Sequence, residues 1–514
     1  MMQRGCRHLR CSWYNIVMVK KQTLPDIDLA KPLFKWGPID ASMLLITFPT
    51  IALCTGAKGR DAYRWPDAYG YLDKEKFVWL NDLATLMRIS ENFTRSTILK
   101  RGREKTFLRF WRSTTKSLLE VFREIDRADL SALSDVQLIT LYIKLKEAYS
   151  AYWIPAGTLE FINLALEQWL RGALEVIITD TEERNRALNV LSAPVDLTFY
   201  RQEEKKLIEI GRLPRPEQKT ALQRHTRKYF WMYNSYLEAK ALDANYFAQE
   251  LRRVERDGTQ TVYWGITTAK QRIRKEKNVL VQKYRLNSSV RQTVRLLERY
   301  TIWQDIRKKE NFLGNHYVYL LLRAIAKRKK VSVRLARQLM PNELTEFVRM
   351  KSVARWESVM QKRLSQPTVL AFVGKRQRIL SRSETQIFLR QYHASQIQHQ
   401  SAVLQGIVAS GGKSKYFRGI ARIVRSSKEI QRVGNGEILV TGMTAPDYVV
   451  GMKRAGAVIT DQGGLTCHAA IVSRELGIPC IVGTKFATKV IKDGDTVEIH
   501  AGRGIVKIVA AKAQ

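Results

Sequence analysis

One histidine in this chain stands where a glycine-rich loop turns into a helix. It is His468, in DQGGLTCHAAIVSRELGIPCIVG at residues 461–483. Two roles fit that setting: a residue that merely closes the helix end, or a nucleophile that carries a phosphoryl group. Phosphoryl transfer to imidazole needs a neutral, accessible ring and donors for the product dianion. A helix N-terminus serves both needs, since its free N–H groups and positive dipole end favour phosphate and disfavour imidazolium. Thr466 can cap the helix or donate its hydroxyl to a phosphate oxygen. Gly463 and Gly464 let backbone amides approach without a Cβ in the way. Ala469 and Ala470 keep the rim of the site low. Thr444, in GMTAPD, is a second candidate phosphate ligand, while Asp447 in the same loop reads as a helix cap.

Other chemistries fit less well. No Cys/His spacing suited to zinc is present, and His500 is the only other histidine in the last hundred residues. No metal ligand is therefore assigned. Cys467 cannot act as a partner of His468, because adjacent helical side chains diverge by about 100°. The aromatic group Tyr229, Phe230, Trp231, Tyr233 and Tyr236 could stack on a ring-shaped substrate, but at this density in a helical region it reads as core. His225 and His316 read as structural.

The elements that must position His468 lie at the C-terminal end. Short β-rich segments (ARIV, EILVTG, AVITD, CIVG, TVEIH and GIVKIV) alternate with helix-like stretches at 447–455, 467–476 and 485–491. Residues 401–514 therefore read as a compact α/β domain, joined to the rest by a flexible segment within 400–413. The chain before it is mostly helical. Residues 75–255 form a helical domain, in which Ser134 and Gln137 have capping-box spacing and Leu138, Leu141, Tyr142, Leu145 and Tyr149 follow a helical stripe. Residues 256–400 read as a basic helical linker region and 31–74 as a short strand and loop region. The apolar run at 41–57 is expected to be a buried strand or hairpin; it is short for a membrane span and contains Pro49. Residues 1–30 read as an extension that is disordered or precedes a later start at Met18.

Composition narrows the partners. Lys and Arg number 87 against 48 Asp and Glu, a formal net charge of +39. Such an excess favours polyanions and nucleotides. It is not confined to a tail, since residues 401–514 carry 16 basic and eight acidic side chains. The densest patch, AKRKKVSVRLAR at 326–337, reads as a solvated helix face ahead of a nucleic-acid site. Five dispersed cysteines point to a reducing compartment, and the expected location is cytoplasmic.

The stretch GGLTCHAAIVSRELGIPCIVGT, with GIARIV, GEILVTGMTAPDYV and AGAVITD upstream, resembles the phosphohistidine motif of phosphoenolpyruvate-utilising enzymes. These include phosphoenolpyruvate synthase, pyruvate phosphate dikinase and rifampicin phosphotransferase. The resemblance implies that 401–514 is a mobile, swivelling β/β/α sandwich and that His468 carries the phosphoryl group. It covers Arg474 and Glu475, for which a salt bridge or helix-end contact is the expected role. ADLSALSDVQL, RHTRKYFWMYNSY and RLLERYTIWQDIRKKE look more loosely like the helical region of the same families. Those enzymes load the histidine from ATP in an ATP-grasp domain or from phosphoenolpyruvate in a barrel, and neither is legible here. The expectation is a phosphotransfer protein that binds no cofactor itself. ATP with magnesium, or phosphoenolpyruvate, would act through a donor protein, and a small-molecule acceptor would receive the group. A non-enzymatic regulatory phosphocarrier and a basic RNA- or polyanion-binding protein with a vestigial carrier domain are the alternatives.

Overall fold

The computed structural model describes residues 24–511 apart from 57–60, 257–258, 351, 396–402, 413 and 415. Residues 1–23 of the expected N-terminal extension therefore lie outside the described residues.

Five strands form an antiparallel sheet beside the helices: β1 (Leu33–Asp40), β2 (Ala68–Asp73), β3 (Lys76–Asp82), β4 (Thr368–Val373) and β5 (Arg376–Ile379), in the order β1-β3-β2-β4-β5. Strand β2 pairs with β4 across roughly 300 residues of chain, with Gly70 opposite Leu370. Residues 31–74 thus share a sheet with 368–379. The apolar run departs from expectation, since Met43–Thr55 is a helix capped by Ser42, whose hydroxyl accepts from Leu45 N–H at 3.3 Å. It is buried on nearly all sides. A segment that is apolar all round has no helical stripe to betray it.

The helices Arg103–Arg127, Asp135–Gly157, Leu159–Ile177 and Ser288–Arg328 form the main bundle. The capping box is present: Gln137 N–H donates to Ser134 Oγ at 3.2 Å, and Ser134 N–H donates to Gln137 Oε1 at 2.8 Å. Helix Ser288–Arg328 is 41 residues long, about 60 Å at 1.5 Å per residue. It buries Leu297, Tyr300, Val318, Leu321 and Leu322 against Leu138, Tyr142, Phe161 and Leu166 in one core. The expected basic linker at 256–400 therefore contains the central helix of the bundle; its charges line one face while an apolar face is buried. Gly314 sits where this helix meets Tyr149. A Cβ there would lie 2.4 Å from the Tyr149 ring, which is buried with its hydroxyl 2.9 Å from Asn315 Oδ1. Gly314→Ala is expected to destabilise the bundle by about 2 kcal/mol, the usual scale of overpacking. A denaturant midpoint unchanged from wild type would contradict that packing.

The C-terminal sheet comprises β6 (Val403–Gln405), β7 (Ile407–Gly411), β8 (Tyr416–Ile423), β9 (Ile438–Thr441), β10 (Ala457–Thr460), β11 (Pro479–Val482), β12 (Thr496–His500) and β13 (Ile505–Ala510). Its order is β6-β13-β12-β8-β9-β10-β11-β7. Strands β8, β9, β10 and β11 run parallel to their neighbours in that series. Short helices Val449–Met452 and His468–Leu476 connect β9 to β10 and β10 to β11. The chain is thus a helical N-terminal region followed by an α/β domain. The joint expected within 400–413 is not a loop at 403–411, which forms β6 and β7; residues 400–402 and 413 lie outside the described residues.

Candidate functional site

Parallel pairing decides where His468 goes. Thr460 of β10 lies opposite Thr441 of β9, so the loops that follow both strands leave the same edge of the sheet. Such edges, at the carboxyl ends of parallel strands, are where α/β proteins place their sites. The β9 loop carries Thr444 and the β10 loop leads to His468. The two meet, with Thr444 Oγ1 2.9 Å from His468 Nδ1.

His468 is the first residue of helix His468–Leu476, and the cap is Cys467 rather than Thr466. The Cys467 sulfur accepts from Ala470 N–H at 3.4 Å. Thr466 stands one residue ahead of the cap and is buried. Gly463 has φ +125, and a Cβ on it would lie 2.8 Å from the capping sulfur. Glycine there both permits the turn and leaves room for the cap.

The ring was expected to be exposed, yet His468 is only 9% exposed. The helical region covers it. The Tyr200 ring lies 6.0 Å from it, edge-on. Burial, and then the charge of Lys308, hold its pKa well below the usual histidine value. The neutral imidazole expected from the helix end is thus present, with desolvation as the leading cause. Among the described residues, Nε2 is buried without a hydrogen-bond partner.

The loop itself is held by a carboxylate. Leu465 N–H lies 3.0 and 3.1 Å from the two oxygens of Glu167, on helix Leu159–Ile177. A Cβ on Gly464 would stand 2.9 Å from that carboxylate. Glycine at 464 therefore admits an acidic side chain of this same protein.

Arg474 and Glu475 also face the helical region. Arg474 Nη2 donates to Asn189 Oδ1 at 3.5 Å, and burial lowers its pKa to about 10. Glu475 accepts from the Thr198 hydroxyl at 2.7 Å and pairs with Arg201, which also donates to the Glu475 backbone carbonyl. Lys453 pairs with Glu204 at 3.1 Å and Arg503 with Glu182 at 3.0 Å along the same interface. None of Glu167, Thr198, Tyr200, Arg201 or Lys308 was singled out from the sequence. Each lies more than 150 residues from His468, and no local motif marks such a contact. The aromatic group at 229–236 is largely core, with Tyr229, Trp231 and Met232 buried in one cluster.

Glu475 makes the interface sensitive to pH. Burial pushes its carboxyl up to about 7, with Arg201 opposing and Thr198, Asp305 and Glu204 also facing it. A raised carboxyl favours the protonated form in the folded state. Its contribution is thus most favourable below the usual carboxylate range and is lost as pH climbs to about 7. The domain contact is expected to be tighter at pH 5 than at pH 8, and Glu475→Gln should remove that part of the slope. Hydrogen exchange of residues 468–476 across this range checks it.

Among the described residues, no cluster of three or more His, Cys, Asp or Glu could hold a metal ion. No described helix is long and apolar enough to cross a membrane.

The β9–β10–β11 sheet and the helix that starts at His468 lie inside a stretch that matches a known family. Residues 433–504 match the family described as PEP-utilising enzyme, mobile domain. The C-terminal region therefore contains the mobile domain of phosphoenolpyruvate-utilising enzymes. Over 104 residues the chain is 56% identical to a probable phosphoenolpyruvate synthase of Archaeoglobus fulgidus, covering 20% of this chain and 13% of that one. Phosphoenolpyruvate synthase of Pyrococcus furiosus is 50% identical over 113 residues, 22% and 14% of the two chains. That of Aeropyrum pernix is 37% identical over 152 residues, 29% and 18%. The matches span less than a fifth of each of these relatives.

Proposed function

We propose that this protein is a phosphohistidine carrier of the phosphoenolpyruvate-utilising class, acting in the cytoplasm. The observation that carries the reading is the ring of His468, with Nδ1 held by Thr444 and Nε2 left without a partner inside the matched domain. With its proton on Nδ1, donated to the Thr444 oxygen, the ring keeps a lone pair on Nε2. That lone pair attacks the phosphorus of a donor. A nitrogen–phosphorus bond forms, the phosphorus–oxygen bond to the leaving group breaks, and the leaving oxygen keeps the electron pair. Low basicity keeps the ring neutral and ready to attack. ATP with magnesium, or phosphoenolpyruvate, supplies the group from a partner protein. A small acceptor takes it at or near the helical region.

In this arrangement the α/β domain is closed against the helices. His468 is sealed, and Glu167 occupies an amide that a phosphate would use. Loading requires the α/β domain to leave the helices, and the dianion then competes with Glu167 for the loop. The closed contact also favours a second, regulatory reading, in which loading serves as a signal by opening the chain. The test is incorporation of labelled phosphate. The purified chain alone, with β- or γ-labelled ATP, should remain unlabelled. With an ATP-grasp or phosphoenolpyruvate-binding donor protein it should gain one phosphate, labile in acid and stable in base. Labelling of the chain alone would overturn the proposal of a separate donor.

A further inference from the structure

A cavity of about 550 Å³ opens between helix Leu83–Phe93 and the β4–β5 turn, away from the loops that carry His468. Its walls are Ile89, Asn92 and Phe93 of the helix, Arg64 and Trp65 from the segment before β2, and Lys375 at the turn. The volume lies within the range of small-molecule sites. Two features mark it as more than a surface crevice. Trp65 is 5% exposed, and its Nε1 is buried with no hydrogen-bond partner among the described residues. Arg64 Nη1 is likewise buried and without a hydrogen bond; Asp67 forms only a long ion pair with it, at 3.9 Å, and the rest of the Arg64 side chain is partly exposed.

The Trp65 nitrogen is held where it is. The Trp65 ring packs on Phe34 and Phe161, at 6.1 and 5.1 Å between centroids, so the indole cannot swing its N–H to solvent. Asp67 accepts from Gly374 N–H at 2.9 Å, which ties the β4–β5 turn to the segment before β2 that carries these residues. Burying a donor without an acceptor is costly, and here the two residues that carry such donors, one of them cationic, line one cavity. Both lack acceptors, and the remaining wall offers Ile89 and Phe93 as apolar surface.

We propose that this cavity binds a small organic anion, an apolar ring or chain bearing a carboxylate or a comparable acidic group. The anionic end lies against Arg64 Nη1 and Trp65 Nε1, and the apolar body against Ile89 and Phe93. The inference stands apart from the phosphocarrier reading and does not rest on it.

Calorimetric titration of the full chain tests it, with 1-naphthoate as the probe and 1-naphthylmethanol as its uncharged counterpart. Naphthoate is expected to bind at one saturable site, at least tenfold more tightly than the alcohol. Arg64→Ala should bring naphthoate down to the level of the alcohol. Trp65→Phe, which keeps an aromatic ring against Phe34 and Phe161, should weaken it severalfold, and this variant carries the test if Arg64→Ala lowers the melting temperature. His468→Ala should bind naphthoate as wild type does. Absence of saturable binding, equal affinity for acid and alcohol, or full affinity in Arg64→Ala that folds normally would overturn the proposal. So would full affinity in Trp65→Phe.

Discussion

Replacing His468 with alanine is expected to abolish donor-dependent phosphate incorporation, to below about 1% of wild type. That loss corresponds to roughly 2.7 kcal/mol or more in the transfer barrier. The chain has seven histidines, and no other described one is built for the task. His225 pairs with Glu203 at 2.9 Å, His316 is packed against Phe230, His393 is exposed in the last turn of helix Arg382–Ser395, and His500 stands 3.6 Å from Glu182. Among the described histidines, only His468 follows a glycine-rich loop, begins a helix and presents a ring nitrogen with no partner. The variant should remain folded, because the helix cap belongs to Cys467 and the domain core lies in Val440, Ile459, Ile481 and Val497. Thr444→Val is a graded companion. It leaves the nucleophile and removes the group that fixes its tautomer, so labelling should slow by about tenfold, the worth of one ordinary hydrogen bond. Wild-type labelling of His468→Ala would show that the phosphate goes elsewhere.

The second large effect is expected from one methyl group. Gly464→Ala places a carbon 2.9 Å from the Glu167 carboxylate, which must withdraw and release Leu465 N–H. A hydrogen bond to a charged group contributes about 1.5–3 kcal/mol, so the closed contact should weaken by about ten- to a hundredfold. Amide exchange in helix His468–Leu476 should speed up accordingly. Glu167→Ala should do the same. The double variant should be no more open than either single one, because both remove one shared interaction. Additive effects would mean that Gly464 and Glu167 act separately, and unchanged exchange in both single variants would remove Glu167 from any latching role.

What could be read from the sequence was what is local. Ser134 and Gln137 stand three residues apart and cap their own helix. The strands β8 to β13 announce themselves by short apolar runs between glycine turns. The His468 loop is legible because Gly463, the helix start and Gly477 fall within fifteen residues. What was missed depends on partners far along the chain. Met43–Thr55 has no helical period, since every side is buried, and its helix is recognisable only from what surrounds it. Helix Ser288–Arg328 looked like part of a basic linker because nine lysines and arginines are spread along it, whereas Leu297, Tyr300, Val318 and Leu322 define its role. The burial of His468 needed Tyr200 and Lys308, and the occupied loop amide needed Glu167. No spacing within the motif could have pointed to them.

The most direct measurement is the position of the phosphate on the chain after incubation with a donor protein. Peptide mass spectrometry and phosphorus NMR, both under basic conditions that preserve a nitrogen–phosphorus bond, locate it. One phosphate per chain is expected, on His468 and at Nε2, since Nδ1 is held by Thr444. Phosphate at Nδ1, or on any residue other than His468, would contradict it.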